Sequence, residues 1–508
     1  MMHRRMALSA FTNWLAFAAT LLVAFFISPY LIRTLGASRY GVWVFVESIL
    51  AYFTLFDLGI AACVVRYVAR FHAAGSQVEL NKLVSSCLAL FLGLGLIALA
   101  LGAALSPVLI PLLDRTSTDA GDTTLFLLLM LGNLAVTLPL SVFPSILDGL
   151  ERFALKSAVR IVFLVLRTTA TIILMEHEPS LLGLGVIFTV GNLAEHLVFA
   201  VLCRVRLPDL RISYRLVDRA TLQLVRGYSV DAFLAMIAGR VSVQSGAIII
   251  GIFLSAPEIT WFAIALRLVE FAKALLRSAT TTLTPAISSL EAAGDHAAIG
   301  KVLLRATRWV LYLILPVHLG LILFGRPFLT VWLGSPEYAE KCYPALMILS
   351  ATLSLVVAQS VASRILYGMG RLRLFARMSL VESGINVTLS LLLVRAYGLN
   401  GVAWAAMVPN AFFCLFVIGY TCRLLGQPIG EYLGTAWLRP LLAAVLPLAV
   451  WMIDVPVRGW LSLGLVIGVG LVPYAAAVGL MEGGLDRLLA PWRARRALAV
   501  TTGAEQGM

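Results

Sequence analysis

Fourteen stretches of this chain are apolar and long enough to cross the roughly 30 Å hydrocarbon layer of a bilayer. They fall at 9–32, 40–65, 83–113, 123–147, 157–176, 181–203, 226–254, 259–286, 302–325, 343–366, 376–397, 401–422, 438–453 and 460–481, the thirteenth being the shortest. Backbone crossing hydrocarbon has no water to bond with, so each stretch must close its hydrogen bonds internally, as a helix. The intervals between them are too short for a separately folded soluble domain. Composition agrees: 60% of residues are hydrophobic and 13% charged, with mean hydropathy +0.95, whereas soluble chains are nearer half apolar and a quarter charged. The expected fold is all-α, a polytopic membrane protein of about fourteen transmembrane helices. The basic N-terminus, MMHRRMALSA, runs into an apolar segment without a small-residue cleavage site and reads as a retained first helix, not a signal peptide.

The net charge of +13 arises from 39 Lys and Arg against 26 Asp and Glu. Such a surplus fits nucleic acid, anionic lipid or a topology signal, and position decides among them. Sorted by alternate loops, 27 of the basic residues fall on one side and 7 on the other, with 5 inside spans. The rich side holds Arg4 and Arg5, the cluster from Arg204 to Arg226, Lys301 to Arg308, Arg364 to Arg377, and Arg487 to Arg496. The poor side includes Arg33, Arg39, Arg115, Arg326 and Arg458. This asymmetry marks the rich side as cytoplasmic, places both termini there and removes the case for nucleic acid. The six cysteines show no paired spacing, so neither a disulfide framework nor a metal site is indicated, and nothing calls for a cofactor.

A repeat lies beneath the helix pattern. At an offset of 219, Ala73-Ala74-Gly75 meets Ala292-Ala293-Gly294, Lys82 meets Lys301, and Ile146-Leu147 meets Ile365-Leu366. Gly149 meets Gly368 and Arg152 meets Arg371 at the same offset; one residue less aligns Gly183 with Gly401 and Asn192 with Asn410. An even number of helices per repeat makes the halves parallel in topology, an arrangement that suits alternating access. The expected organisation is two pseudo-symmetric six-helix lobes, 1–205 and 206–425, then a helix pair at 426–485 and a cytoplasmic tail at 486–508.

Several segments carry a family likeness. PYLIRTLGASRYGVW and YFTLFDLGIAACVVRYVAR, between Pro29 and Arg70, resemble the opening of Wzx-type polysaccharide-unit flippases of the multidrug/oligosaccharidyl-lipid/polysaccharide exporter superfamily. LDGLERF around Gly149, LTPAIS around Pro285, LYGMGRLRL around Gly368 and AYGLNGVAWA around Gly401 are similar to that family too. The resemblance covers most of the chain. It implies an inner-membrane transporter, not an enzyme, that moves polyprenyl-pyrophosphate-linked oligosaccharide to the outer leaflet for O-antigen, capsule or exopolysaccharide export. The implied partners are that glycan substrate, membrane lipids and other polysaccharide-assembly proteins. By analogy with related fourteen-helix lipid flippases, the last helix pair would line a lipid-accepting groove.

Charged side chains inside spans cost about 2.5–3.5 kcal/mol each on insertion scales and are functional candidates by default. The eighth span carries Arg267, Glu270, Lys273 and Arg277; at about 100° per residue the last three share one face. Glu270 can pair with Arg267 or Lys273, leaving about two positive charges to attract a pyrophosphate. The bland alternative is that Lys273 and Arg277 snorkel to the cytoplasmic surface. Arg240 in span seven and Arg167 in span five are further candidates for a cationic cleft, each with a buried interhelical pair as the competing reading. Glu47, Asp57, Glu195, Glu270 and Glu382 are the acids available for coupling or pairing. Asp57, in FDLG, reads equally as the cap of a local break, and Glu195 beside His196 as an interhelical contact.

Enzyme signatures are absent. The stretch from Gly294 to Gly300-Lys301 has its glycines one residue too far apart for a phosphate loop, with Val302 where a Ser or Thr belongs. Drug exporters moving organic cations would want acids in the cleft, and a membrane-embedded polymerase a large external loop. The alternative that survives is a drug or metabolite antiporter of the same superfamily.

Overall fold

The computed structural model describes residues 2–57, 59–114, 120–226, 230–452, 457 and 459–484. Arg115, Arg458 and the tail at 486–508 with Arg487, Arg493, Arg495 and Arg496 lie outside them, as do the side chains of Arg4, Arg5, Arg226 and Arg277. The described residues form helices and connecting turns with no strand. In chain order the helices are α1 (Met2–Phe53), α2 (Ile60–Ala73), α3 (Gln77–Asp114), α4 (Ala120–Leu140), α5 (Val142–Gly149), α6 (Phe153–His177), α7 (Leu181–Arg206), α8 (Arg219–Arg226) and α9 (Val230–Phe253). There follow α10 (Ala256–Thr280), α11 (Leu283–Ala292), α12 (His296–Leu333), α13 (Pro336–Ser350), α14 (Leu353–Gly368), α15 (Leu372–Leu424), α16 (Ile429–Tyr432), α17 (Arg439–Trp451) and α18 (Trp460–Gly479). Among the described residues, ten helices are long and apolar enough to cross a membrane, or eleven if α13 and α14, bent by 41°, form one span.

That count is four below the fourteen expected because α1 and α15 each count once, α10 does not qualify, and the 343–366 stretch is split between α13 and α14. α1 (52 residues) and α15 (53 residues) are each two helices meeting end to end at a kink, on Gly36 (φ 79) and Gly398 (φ 56), so each holds two of the expected stretches. α10 fails on apolarity because from its middle to its C-terminus it carries Arg267, Glu270, Lys273 and Arg277. The expected span at 40–65 is also interrupted. α1 ends at Phe53, a short 3-10 turn covers Thr54–Asp57, and Gly59 takes a left-handed conformation (φ 78) before α2. Many large apolar side chains face outward, with Leu461 82% and Val472 71% exposed, as a lipid-facing surface requires.

The chain divides into two units, each discontinuous in sequence: 1–264 with 376–409, and 265–375 with 410–508. In the first, α2, α3, α5 and α7 surround a core of Val64, Val68, Phe91, Ile146, Leu147 and Phe199. The linker after α7 is strapped along α3, with the backbone N–H groups of Arg211, Ser213 and Asp218 donating to Asn81, Ser85 and Ser86. In the second unit, α17 and α18 pack on α12 through Phe324, Trp451 and Leu463. The six cysteines are free and buried.

Residues 219 apart occupy matching local positions. α3 and α12 are both 38 residues long and begin 219 apart. Ahead of them Gly75 (φ 65) and Gly294 (φ 70) make the same left-handed turn. A Cβ on Gly149 would lie 2.8 Å from Val68 Cβ and 2.9 Å from Val65 O; on Gly368 it would lie 2.6 Å from Ile287 Cβ and 3.0 Å from Thr284 O. Those neighbours are themselves 219 apart. Arg152 and Arg371 then start the next helices with φ −90 and ψ of 41 and 50.

Gly149→Ala and Gly368→Ala are each expected to lower stability by about 1–3 kcal/mol through overpacking, whereas Gly464→Ala, which meets nothing within 4 Å, is neutral; thermal unfolding in detergent distinguishes them. A second expectation concerns pH. The Asp218 carboxyl is held below its usual value of 3.8 by the backbone N–H and hydroxyl of Thr221. A depressed carboxyl pKa gives stabilisation that is present above the ordinary value and lost as pH falls below it. Protection of the Thr221 amide from hydrogen exchange is therefore expected to drop in acid, and Asp218→Asn to remove that pH dependence.

Candidate functional site

Within the first unit, the spacing of α6 and α7 brings two sequence candidates together. Arg167 Nη2 lies 3.0 Å from Glu195 Oε2, and the side chains are 22% and 9% exposed. Arg167 Nη1 also donates to Asn192 Oδ1, and its guanidinium sits 5.8 Å from the centroid of the Phe188 ring. Gly191 makes room for this: a Cβ there would fall 2.5 Å from Arg167 Cγ. His196, one residue from the acid, bonds back to Asn192 O at 2.8 Å. The arrangement is a neutral interhelical pair, which lowers the cost of both charges at membrane depth.

A second polar group in the same unit joins α9 to α15. Ser242 Oγ donates to Glu382 Oε1 at 3.1 Å, and Asn386 Nδ2 donates to Ser242 O at 3.2 Å. Ser383 Oγ donates to Ala238 O at 2.8 Å, and Ser390 Oγ to Asn386 Oδ1 at 3.2 Å. Glu382, Ser383, Asn386 and Ser390 are all buried. Sequence reading found Glu382 alone. The signal it passed over is periodic: Glu382, Asn386 and Ser390 are four apart and so share one helix stripe. Arg240 is two residues from Ser242, about 200° round the helix, and it is exposed.

In the second unit, Lys273 Nζ pairs with Glu270 Oε1 at 3.1 Å along one turn of α10. Arg267, on the same helix, is half-buried. The Arg277 side chain lies outside the described residues. Of the remaining acids, Glu47 is exposed on α1. Asp57 Oδ1 accepts the Ala61 N–H at 3.0 Å, capping the break before α2.

Sequence reading missed a cluster in the second unit centred on Glu482, just past α18. Its Oε1 accepts from Tyr312 Oη at 3.1 Å. Arg308 Nε lies 3.1 Å from the same oxygen without the alignment for a hydrogen bond, and Arg439 Nη1 lies 3.6 Å away. Tyr474 Oη donates to Tyr312 O at 2.7 Å. One carboxylate thus ties the last helix pair to α12. The only hint in sequence is an isolated acid at the end of an apolar run.

This all-helical, multi-pass architecture with polar groups held between apolar helices is that of a membrane transporter. The similarities are specific. The chain matches the family "Lipid II flippase MurJ" over residues 58–468, and it belongs to that family of flippases. Its fold is similar to a solved lipid II flippase MurJ in an inward closed conformation, with TM-score 0.73 at 15% identity over 94% of this chain and 99% of that one. It is also similar to an inward-facing multidrug resistance MATE family transporter of the MOP superfamily, with TM-score 0.67 at 15% identity over 80% and 94%. A probable low-salt glycan biosynthesis flippase, Agl15, of Haloferax volcanii is 23% identical over 184 residues, 36% of this chain and 39% of that protein.

Glu195→Ala is expected to cost more than Glu195→Gln, because the amide still accepts a hydrogen bond from Arg167. Losses of about 1–3 kcal/mol for the alanine variant follow from leaving a charged donor unmatched. Unfolding of the purified variants measures the order, and equal stability of both with wild type would show that the pair carries no load.

Proposed function

We propose that this protein moves polyprenyl-pyrophosphate-linked oligosaccharide units from the cytoplasmic to the outer leaflet of a bacterial inner membrane by alternating access, for polysaccharide export of the Wzx type. The observation that carries the reading is the family match over residues 58–468. The Haloferax volcanii relative, whose printed role is glycan biosynthesis, supports a glycan cargo. The strong Lys/Arg asymmetry between alternate loops supports cytoplasmic termini. Counting α10, the bent α13–α14 pair and both halves of α1 and α15 as spans supports fourteen crossings, and the 219-residue correspondence supports two six-helix lobes at 1–205 and 206–425 with a helix pair at 426–485.

Substrate binding is assigned to cations at membrane depth: Arg240, Arg267, Lys273 and Arg277, with Arg167 as a paired contributor. Arg240 supports this assignment best. It is exposed within an apolar helix, and a guanidinium at that depth is tolerated where it faces a wet cavity. Pyrophosphate oxygens suit it because a guanidinium grips them through two parallel hydrogen bonds. Glu382 is the acid best placed for coupling, since it is buried and joins two helices through Ser242.

The deciding experiment removes the protein from its host and asks which lipid-linked glycan accumulates, and on which leaflet. Export-type oligosaccharide is expected on the cytoplasmic leaflet, restored by wild type and reduced at least about tenfold in rescue by Arg240→Ala or Lys273→Ala, a loss of about 1.4 kcal/mol or more in transport. Equal rescue by the variants overturns the cation assignment and leaves flipping intact. Accumulation of lipid II instead reassigns the cargo, and accumulation of neither overturns the flippase reading.

A further inference from the structure

The last two turns of α15 carry a cavity of about 450 Å³ that none of the preceding roles uses. Phe416, Gly419, Tyr420 and Arg423 line it, and their three- and four-residue spacing puts them on one helix face. The Phe416 and Tyr420 rings lie nearly parallel, 5° apart in plane with centroids separated by 6.2 Å. Beside them Gly419 leaves the helix surface open: a Cβ there would meet nothing within 4 Å. Beyond the helix, Gly426 takes a left-handed turn (φ 65) and the Gln427 N–H donates to Cys422 O at 2.9 Å. This folds Gln427 and Ile429 back to complete the wall.

The groove is amphipathic along its length. Leu415 and Ile429 on its rim are 56% and 57% exposed, whereas Arg423 at its end is exposed and belongs to the Lys/Arg-rich side of the chain. Gln427 Oε1 is buried without a hydrogen-bond partner. Its amide is wedged against α12, since a Cβ on Gly300 would fall 2.5 Å from Gln427 Nε2. A channel apolar along one helix and cationic at the membrane edge matches one molecule in its surroundings: a lipid whose chain follows the rings and whose phosphate meets the guanidinium. We infer that this groove binds one glycerophospholipid of the Arg-rich leaflet, with its phosphate on Arg423 and an acyl chain lying over Gly419 alongside the stacked Phe416 and Tyr420 rings. An anionic headgroup is preferred, because it brings no ammonium of its own to compete with Arg423.

The inference needs only the membrane setting and stands whether or not the chain flips glycans. Native mass spectrometry of the full-length protein, released from detergent with phosphatidylglycerol or phosphatidylcholine, tests it. Wild type is expected to retain one phosphatidylglycerol about fivefold more strongly than phosphatidylcholine, as one Arg near a charged surface allows. Arg423→Gln erases the preference, and Gly419→Phe, which covers that open surface, removes retention of both lipids. Wild-type retention and preference in Arg423→Gln overturn the inference by themselves, even if Gly419→Phe fails to fold. Displacement of the lipid by millimolar inorganic phosphate overturns it in favour of a free-anion site, and displacement by equimolar polyprenyl phosphate in favour of the transported substrate.

Discussion

Removing a charge from water costs several kcal/mol, more than any single packing contact returns, and the polar groups of this protein are arranged around that cost. In the first unit Arg167 meets Glu195 between two helices, and in the second Lys273 meets Glu270 along one helix. Glu482 gathers Arg308, Arg439 and Tyr312 around a single oxygen. Each carboxylate lowers the penalty of a nearby cation, and Glu195 and Glu482 also fix how helices pack. Glu382 works by the same principle with hydroxyl and amide donors, joining α9 to α15. Arg240 follows a different rule, being exposed within its span, which is why the substrate assignment leans on it.

Backbone constraints complement the electrostatic ones. The close approaches at Gly149 and Gly368 let α5 and α14 pack on α2 and α11 with no side chain between. Because the opposing residues are also 219 apart, the same contact has been built twice, from different side chains: Val68 in one case and Ile287 in the other. A shared backbone geometry is thus held while the surrounding chemistry diverges.

Much of the fold was legible because the bilayer imposes a simple code, in which long apolar runs are helices and basic loops mark one side. What escaped was local. Apolar length does not reveal that the paired helices of α1 and α15 meet end to end at kinks on Gly36 and Gly398, whereas the break capped by Asp57 was legible in FDLG. Site residues were harder for a related reason. Sequence shows that Arg167 and Glu195 are both inside spans, but which helix faces oppose each other is decided by packing. The Glu482 cluster draws on three helices separated by up to 174 residues, beyond any periodicity. The Glu382 stripe was readable at four-residue spacing, had serine and asparagine been weighed beside charges.

The Arg167–Glu195 pair also bears on how the chain enters the membrane. Synthesis runs from the N-terminus, so Arg167 emerges from the ribosome 28 residues ahead of its partner. Alone, α6 would carry an uncompensated guanidinium at an insertion cost of about 2.5–3.5 kcal/mol. Only residues 178–180 separate α6 from α7, a turn short enough for both helices to wait and enter together. The pair therefore makes a helical hairpin, not the single helix, the unit of insertion at this point in biogenesis.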